Sequence, residues 1–368
     1  ITLFPYTIRA GHPKTDNRGV MMGNLLTYGG IVTKIRAMES KLLTPGDFEE
    51  IAGLHGVPAV IAWLRDNGFY PFVLDDLTDE HLHRGDIEKL LINQLYYDYM
   101  KIFRFCGLEQ RKFLTLYIMR YETDLIDYCL RIVINHYQEP FDLNYKKDFF
   151  DRYSQISIEK LITSRTTDQL IENLKDTEYY KPLSALRDKA GITLFDYDLA
   201  LDQYRFHKLW KNRKNILNKA EREIYTRSYG SKIDLLNLQW IYRAKKYYGM
   251  EPVDIYNMLI PVHFKISTEL VKELVEAPTA DDFLNAMRKV SYTKDPDFLS
   301  SLTLEQMYRK CLKQLYVADA RRNPYSIASI YAYLFKKEEE LERLTAAIEC
   351  VRYGLPPNET LAHCGLAV

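Results

Sequence analysis

An all-α fold is predicted by three features of this 368-residue sequence: few chain breakers, long segments of helical period, and helix signals that recur along the chain. Gly (16) and Pro (14) make up about 8% of the residues, against roughly 12% in average usage. Hydrophobic residues are 47% and charged residues 27%, the balance of a globular protein. The length suits roughly two or three domains.

Residues 1–20 show no helical period, and Met21 and Met22 stand just before the first amphipathic segment. Residues 1–20 are therefore expected to be a non-native or disordered extension. Tyr28, Ile31, Ile35, Met38 and Leu42 then step by three and four, so they share one helix face. In RAMESKLLTPGDFEEIA the next helix is signalled three times over. Thr44 suits the N-cap, where its side chain accepts from an otherwise unpaired backbone N–H. Pro45 suits the first helical position, where its missing N–H costs nothing. Asp47, Glu49 and Glu50 lie near the positive end of the helix dipole. Further on, Asp86 is a candidate N-cap for a stripe of Ile87, Leu91, Leu95, Tyr99 and Ile102, expected to be core. The 29 Tyr suit helix–helix contacts, with the ring inside and the hydroxyl at the edge.

KLLTPGDFEEI from Lys41 is echoed by KLITSRTTDQLIENL from Lys160 and, more weakly, by KELVEAPTADDFLNAM from Lys272. Leu42, Leu161 and Leu274 correspond, at intervals of 119 and 113, and Tyr70, Tyr180 and Phe298 follow them. A second element recurs in RYETDLIDYCLRIV, SYGSKIDLLNLQWIYRAK and YLFKKEEELERLTAAIE. There Asp124-Leu125, Asp234-Leu235 and Glu340-Leu341 correspond, at intervals of 110 and 106. Two elements of similar period predict three similar helical modules, 21–143, 144–258 and 259–361, followed by a tail at 362–368. The joining segments QEPFDLNY and GMEPVDIYNMLIP carry Pro, as linkers between helical units often do.

The chain resembles the C/d family of V-type ATPase (ATP synthase) subunits. The stretch RAMESKLLTPGDFEEIA is similar to its opening helix pair. IDLLNLQWIYRAKKYYGM, with Asn237 and Arg243-Ala244-Lys245, is similar to its middle-module helix. KKEEELERLTAAIECVRYGLPPNE, leaving through Gly354, Leu355 and Pro356, is similar to its C-terminal helix. The resemblance runs from about Met21 to Glu359 and departs most in the segment joining modules one and two. It implies a funnel-like body of three modules, a non-catalytic component of the central stalk without cofactor. One opening would take the central rotor shaft, and the opposite face would rest on the membrane ring of proteolipid subunits. The expected location is the cytoplasmic side of the membrane, peripheral, with membrane contact only through the ring.

Two other classes compete. DDLTDE, with Asp75, Asp76 and Asp79, resembles the Mg²⁺-diphosphate motif of terpene synthases, also all-α. The plainer reading is a loop in which Thr78 caps a helix and Asp79 and Glu80 fill its first turn. The second acidic motif that such enzymes need is missing. His81 and His83 beside it alternate, so they do not share a helix face, and no metal is expected there. No GxxxxGK[ST] loop occurs, so nucleotide binding of that kind is not expected. The five cysteines have no paired spacing, which fits a reducing compartment.

Lys+Arg and Asp+Glu are both 50, so net charge selects no partner. Local charge does. Residues 202–248 hold 12 basic against 4 acidic side chains, and residues 45–86 hold 9 acidic against 2 basic. The run YRFHKLWKNRKN (204–215) would suit a helical nucleic-acid-binding scaffold, with aromatics stacking on bases. An exposed helix face is the more ordinary reading, and no nucleic-acid partner is expected. On the family resemblance, Arg205, Lys208, Lys211, Arg213, Lys214 and Arg243 are the candidate partner-binding residues.

Overall fold

The computed structural model describes residues 17–71, 84–137, 143–187, 189, 191–292 and 304–366. DDLTDE, His81, His83 and Phe298 lie outside the described residues. The described secondary structure is helical throughout, with no strand among it.

Helix α1 (Asn17–Glu39) begins four residues before Met21, so it crosses the expected boundary there. It is followed by two short helices, α2 (Pro45–Ala52) and α3 (Val57–Asp66), and two long ones, α4 (Arg84–Phe105) and α5 (Leu108–Ile134). After α6 (Lys147–Tyr153) comes a second short pair, α7 (Ile158–Ile162) and α8 (Thr167–Asn173). Then come α9 (Tyr180–Ser184) and a second long pair, α10 (Leu194–Ile216) and α11 (Lys219–Tyr248). After α12 (Pro252–Met258), a third short pair is α13 (Thr268–Glu276) and α14 (Ala280–Met287). The third long pair is α15 (Leu304–Arg322) and α16 (Ile327–Arg352), and α17 (Pro357–His363) closes the described chain. The order of short pair then long pair thus occurs three times.

The caps explain why the short helices start where they do. Thr44 and Asp47 form a reciprocal capping box on α2, with Pro45 in the first turn. Ser157 and Ser267 cap α7 and α13 without the return bond, each accepting from the backbone N–H three residues on. Thr166 and Thr279 cap α8 and α14, accepting from Gln169 and Asp282. Four and eight residues past each second-helix cap stand Val60 and Leu64, Leu170 and Leu174, and Phe283 and Met287, all buried. Cap positions align the three pairs differently from the leucines. Leu161 lies four residues past Ser157 and Leu274 seven past Ser267, whereas Leu42 sits in the turn before Thr44. Asp86 lies in the first turn of α4, not at its cap, because that helix starts at Arg84. The stripe of Ile87, Leu91, Leu95, Tyr99 and Ile102 is core, as its spacing predicted.

Each short pair is tied to a long helix by a buried carboxylate. Glu122 of α5 accepts from Ser154 Oγ at 2.5 Å, Gln155 N at 3.1 Å and Tyr179 OH at 2.6 Å. Asp234 of α11 accepts from Phe264 N at 3.1 Å, Lys265 N at 2.7 Å and Tyr292 OH at 3.1 Å. Glu340 of α16 accepts from Leu43 N at 2.9 Å, from Tyr70 OH and from Lys337 Nζ. In each case one donor is a backbone N–H just before the first short helix, and another is a tyrosine after the second. The first long pair therefore holds the second short pair, the second holds the third, and the third returns to hold the first. The connection is cyclic.

Close packing supports these ties. A Cβ on Gly230 would stand 2.7 Å from Phe264 Cγ, so only glycine lets α11 meet the segment that Asp234 grips one turn later. The Asn237 side chain brackets Ile260, donating to its carbonyl at 2.9 Å and accepting from its N–H at 3.0 Å. Lys245 donates to Ala277 O at 2.6 Å. Of the residues of IDLLNLQWIYRAKKYYGM singled out above, Asn237 thus holds the segment before the third short pair and Lys245 the turn between its two helices. Two buried clusters make the core, and Trp240 and Tyr331 pack against both.

Candidate functional site: a central cavity among the long helices

Helices α5, α10, α11, α15 and α16 meet around a cavity of about 180 Å³. Its wall is aromatic. Phe113 of α5 packs against Tyr331 of α16 at 5.4 Å between ring centroids, and Tyr225 and Tyr229 of α11 stack at 5.0 Å. Tyr316 of α15 meets Phe335 of α16 edge to face at 5.0 Å. Such tilted and offset rings give specific geometry as well as buried area. Burial pushes the Tyr308 phenol in this wall up to about 12 and the others higher still, so they remain neutral donors.

The charged lining is mostly paired. Arg120 binds Glu338 at 2.5 Å, and Glu338 also accepts from Tyr117 and Tyr121 at 3.1 and 3.2 Å. That carboxylate raises the Arg120 pKa further above its ordinary value. Glu339 pairs with Lys313 at 3.0 Å and Arg343 at 2.8 Å, and Glu342 with Arg309 at 2.7 Å. Arg205 gives its NH2 to Asp202, while its Nε is buried without a partner. Tyr229 OH is likewise buried without one. Lys232 lines the cavity without a hydrogen-bonded carboxylate. Burial, with Arg120 and Arg205 nearby, lowers its pKa from 10.5 to about 7.

The structure separates the six candidate partner-binding residues. Arg205 points into the central cavity. Lys208 is ion-paired with Glu178 and lies beside the Tyr204 ring. Arg213 stacks on Trp210 at 3.5 Å and donates to Thr226 Oγ1 at 3.2 Å. Lys211 and Lys214 are exposed. Arg243 is exposed on α11, 3.5 Å from Glu305. The run 204–215 is thus divided among several faces of α10, because a helix turns successive residues through about 100°.

Several residues that organise the molecule escaped sequence reasoning. Glu122 takes the place expected of Asp124, which is exposed. Tyr179 stands where Tyr180 was expected, and Tyr292 supplies the third tyrosine. Lys232 was counted only as part of a basic stretch. Its signal was present: Tyr225, Tyr229 and Lys232 step by four and three along one face of α11.

An aromatic cavity walled by long helices, with short helix pairs tied to those helices through buried carboxylates, defines an all-α protein built on repeated helix pairs. Among the described residues no helix is long and apolar enough to cross a membrane, and none form a cluster of three or more His, Cys, Asp or Glu that could hold a metal. Residues 31–363 match the family described as ATP synthase (C/AC39) subunit, and the chain belongs to that family. It is 24% identical to the C subunit of the A-type ATP synthase of Methanosarcina mazei, covering 89% of this chain and 90% of that protein. Against the A-type ATP synthase C subunit of Thermococcus kodakarensis it is 25% identical, covering 88% and 87%. For that of Pyrococcus abyssi the identity is 24%, covering 89% and 87%.

Proposed function

We propose that this chain is a non-catalytic part of the central stalk of an A/V-type rotary ATP synthase, coupling the rotor shaft to the membrane ion-carrying ring. The family match over residues 31–363 is the observation that carries the reading. The cavity supports it in physical terms. A protein that passes torque must hold its partner without yielding, and a wall of interlocked rings and paired charges at interior density resists deformation. The carboxylate ties serve the same end, since a closed ring of contacts has no free end to open.

On this reading the three modules 21–143, 144–258 and 259–361 surround the cavity as a funnel, and the tip of the shaft docks at its mouth. The opposite face rests on the proteolipid ring, so that the protein sits peripherally on the cytoplasmic side and meets the membrane only through the ring. Lys211, Lys214 and Arg243 are the exposed members of the partner-binding set and act at the outer contacts. Arg205 acts inside, and Lys208 and Arg213 position α10. Beyond Arg243, Tyr247, Tyr248 and Val253 are exposed together near the α11–α12 turn, as apolar residues at docking sites often are.

Mixing the purified chain with separately purified shaft and ring subcomplexes tests this directly. The expected product is a ternary complex, with shaft and ring failing to associate when the chain is left out. Shaft–ring association of equal strength without the chain would overturn the reading.

A further inference from the structure

The central cavity holds three polar donors that the protein itself does not use. Arg205 Nε and Tyr229 OH are buried without partners. Lys232 has no carboxylate of its own, although each acidic residue of the lining has a cation. Buried polar groups are normally hydrogen-bonded, and an orphaned one costs on the order of 1–3 kcal/mol. Two orphans and an ammonium without a carboxylate, on residues that line one cavity, call for an acceptor in that space.

Charge narrows the choice. Arg120 is neutralised by Glu338 and Arg205 by Asp202, which leaves the single charge of Lys232 uncompensated. One negative charge balances it; a dianion would exceed it. Size narrows it further. A cavity of about 180 Å³ falls below the roughly 300–1,000 Å³ of sites that enclose a drug-sized ligand. The surrounding rings of Phe113, Tyr225 and Tyr331 suit a carbon stem behind the anion rather than a fully hydrated ion.

We propose that Lys232, Arg205 and Tyr229 form a receptor for one carboxylate, a Glu or Asp side chain or a chain terminus, carried on the tip of the rotor shaft. The proposal rests on the central-stalk reading and adds to it the group that is recognised. Lys232 supplies the ion pair, Arg205 Nε and Tyr229 OH supply hydrogen bonds, and the ring wall excludes water from them. A pair shielded in this way is screened far less by salt than a surface pair. It would also act as a key. A shaft tip without the carboxylate would leave the buried cation unpaired, and such a mismatch discriminates strongly between partners. The lowered pKa of Lys232 agrees with the site being built for an anion that arrives from outside.

The test uses the full chain and the purified shaft subcomplex of the same synthase, with affinity measured by titration calorimetry. Lys232→Met keeps most of the unbranched apolar stem and removes the charge. It is expected to weaken shaft binding tenfold or more while leaving the melting temperature of the free chain unchanged or higher. Tyr229→Phe removes one hydroxyl alone and is expected to weaken binding severalfold, so the idea stands or falls even if the first variant folds poorly. Equal affinity for wild type and both variants would overturn the carboxylate receptor while leaving the central-stalk reading in place. No binding of wild-type chain to the shaft would overturn both. Acetate and inorganic phosphate serve as free-anion probes, followed through the Lys232 Nζ-adjacent resonance. Submillimolar binding of either would show a small-anion site and overturn the shaft-borne carboxylate; weaker or absent binding supports it.

Discussion

Leu43 donates its backbone N–H to Glu340 at 2.9 Å across 297 positions of sequence. This contact closes the chain on itself. Tyr70 meets the same carboxylate, and Lys337, one helical turn earlier, neutralises it at 2.5 Å. All three charged or phenolic side chains are buried.

Glu340→Ala removes the acceptor for all of these donors at once and leaves Lys337 as an unpaired buried cation. Breaking a buried pair in this way costs about 3–5 kcal/mol. Urea denaturation is expected to show a loss of that size, and hydrogen exchange should speed up in α2 and α3, nearly three hundred residues away in sequence. Protection of α2 and α3 that is unchanged in the variant would mean that the closure does not hold the first short pair.

Gly230→Ala isolates the second of these ties. In an exposed helix the change would favour folding by about 1 kcal/mol. Here the new methyl would stand 2.7 Å from Phe264 Cγ and 2.8 Å from its Cβ, too near the backbone for the ring to swing clear. Overpacking costs roughly 1–3 kcal/mol, so against that gain a net loss of up to about 2 kcal/mol is expected. A variant that melts at a higher temperature than wild type would show that Phe264 is not held against α11.

Asp127 and Asp198 give the molecule a pH dependence of known sign. They face each other between α5 and α10, and each has a buried Oδ1 without another partner. Burial and then the neighbouring Asp198 and Asp202 push the Asp127 carboxyl far up, to about 9; burial raises Asp198 too, against Arg131. One proton shared between the pair satisfies both oxygens. A carboxyl whose folded pKa is raised stabilises fully below its unfolded value near 4, and that stability is lost as pH rises through the folded value. Asp127→Asn, which donates without titrating, should therefore match wild type near pH 4 and exceed it increasingly toward pH 9. Parallel stability curves for the two proteins over that range would contradict the shared proton. Lys232, with its folded pKa near 7, acts in the opposite sense between about pH 7 and 10.5, so the difference between the two proteins is the quantity to read.

The outer basic residues make a separable prediction. Replacing Lys211, Lys214 and Arg243 by Gln is expected to weaken attachment to ring-bearing membranes and flatten its salt dependence, since exposed charges are screened over about 8 Å at physiological ionic strength. Sedimentation of the chain with such membranes at increasing salt reads both effects. Identical curves for variant and wild type would make these residues a solvated face and nothing more.

The helices were legible in the sequence because their signals are local. Thr44, Pro45 and Asp47 cap α2 as their order predicts, and the stripe from Ile87 to Ile102 is buried as its spacing predicts. The ties between units were legible only in outline. Acids were expected at Asp124, Asp234 and Glu340, and two of the three carry ties. At the first, a two-residue shift turns the chain through more than half a helical turn, so Glu122 is buried and Asp124 faces solvent. Nothing local distinguishes those two acids; what selects Glu122 is Tyr179, more than fifty residues later. The cavity was illegible for the same reason. Its lining is gathered from five helices, and a basic run that reads as one surface contributes Arg205 to the interior and Lys211 and Lys214 to the exterior.

The central claim is that this chain links the turning shaft to the ion-carrying ring. The most direct measurement is ATP-driven ion transport in sealed native membrane vesicles stripped of the chain and then resupplied with it. The account predicts that without the chain ATP is still hydrolysed but ions are not moved, and that transport returns when the wild-type chain is added. Transport at the full rate in vesicles lacking the chain would contradict it.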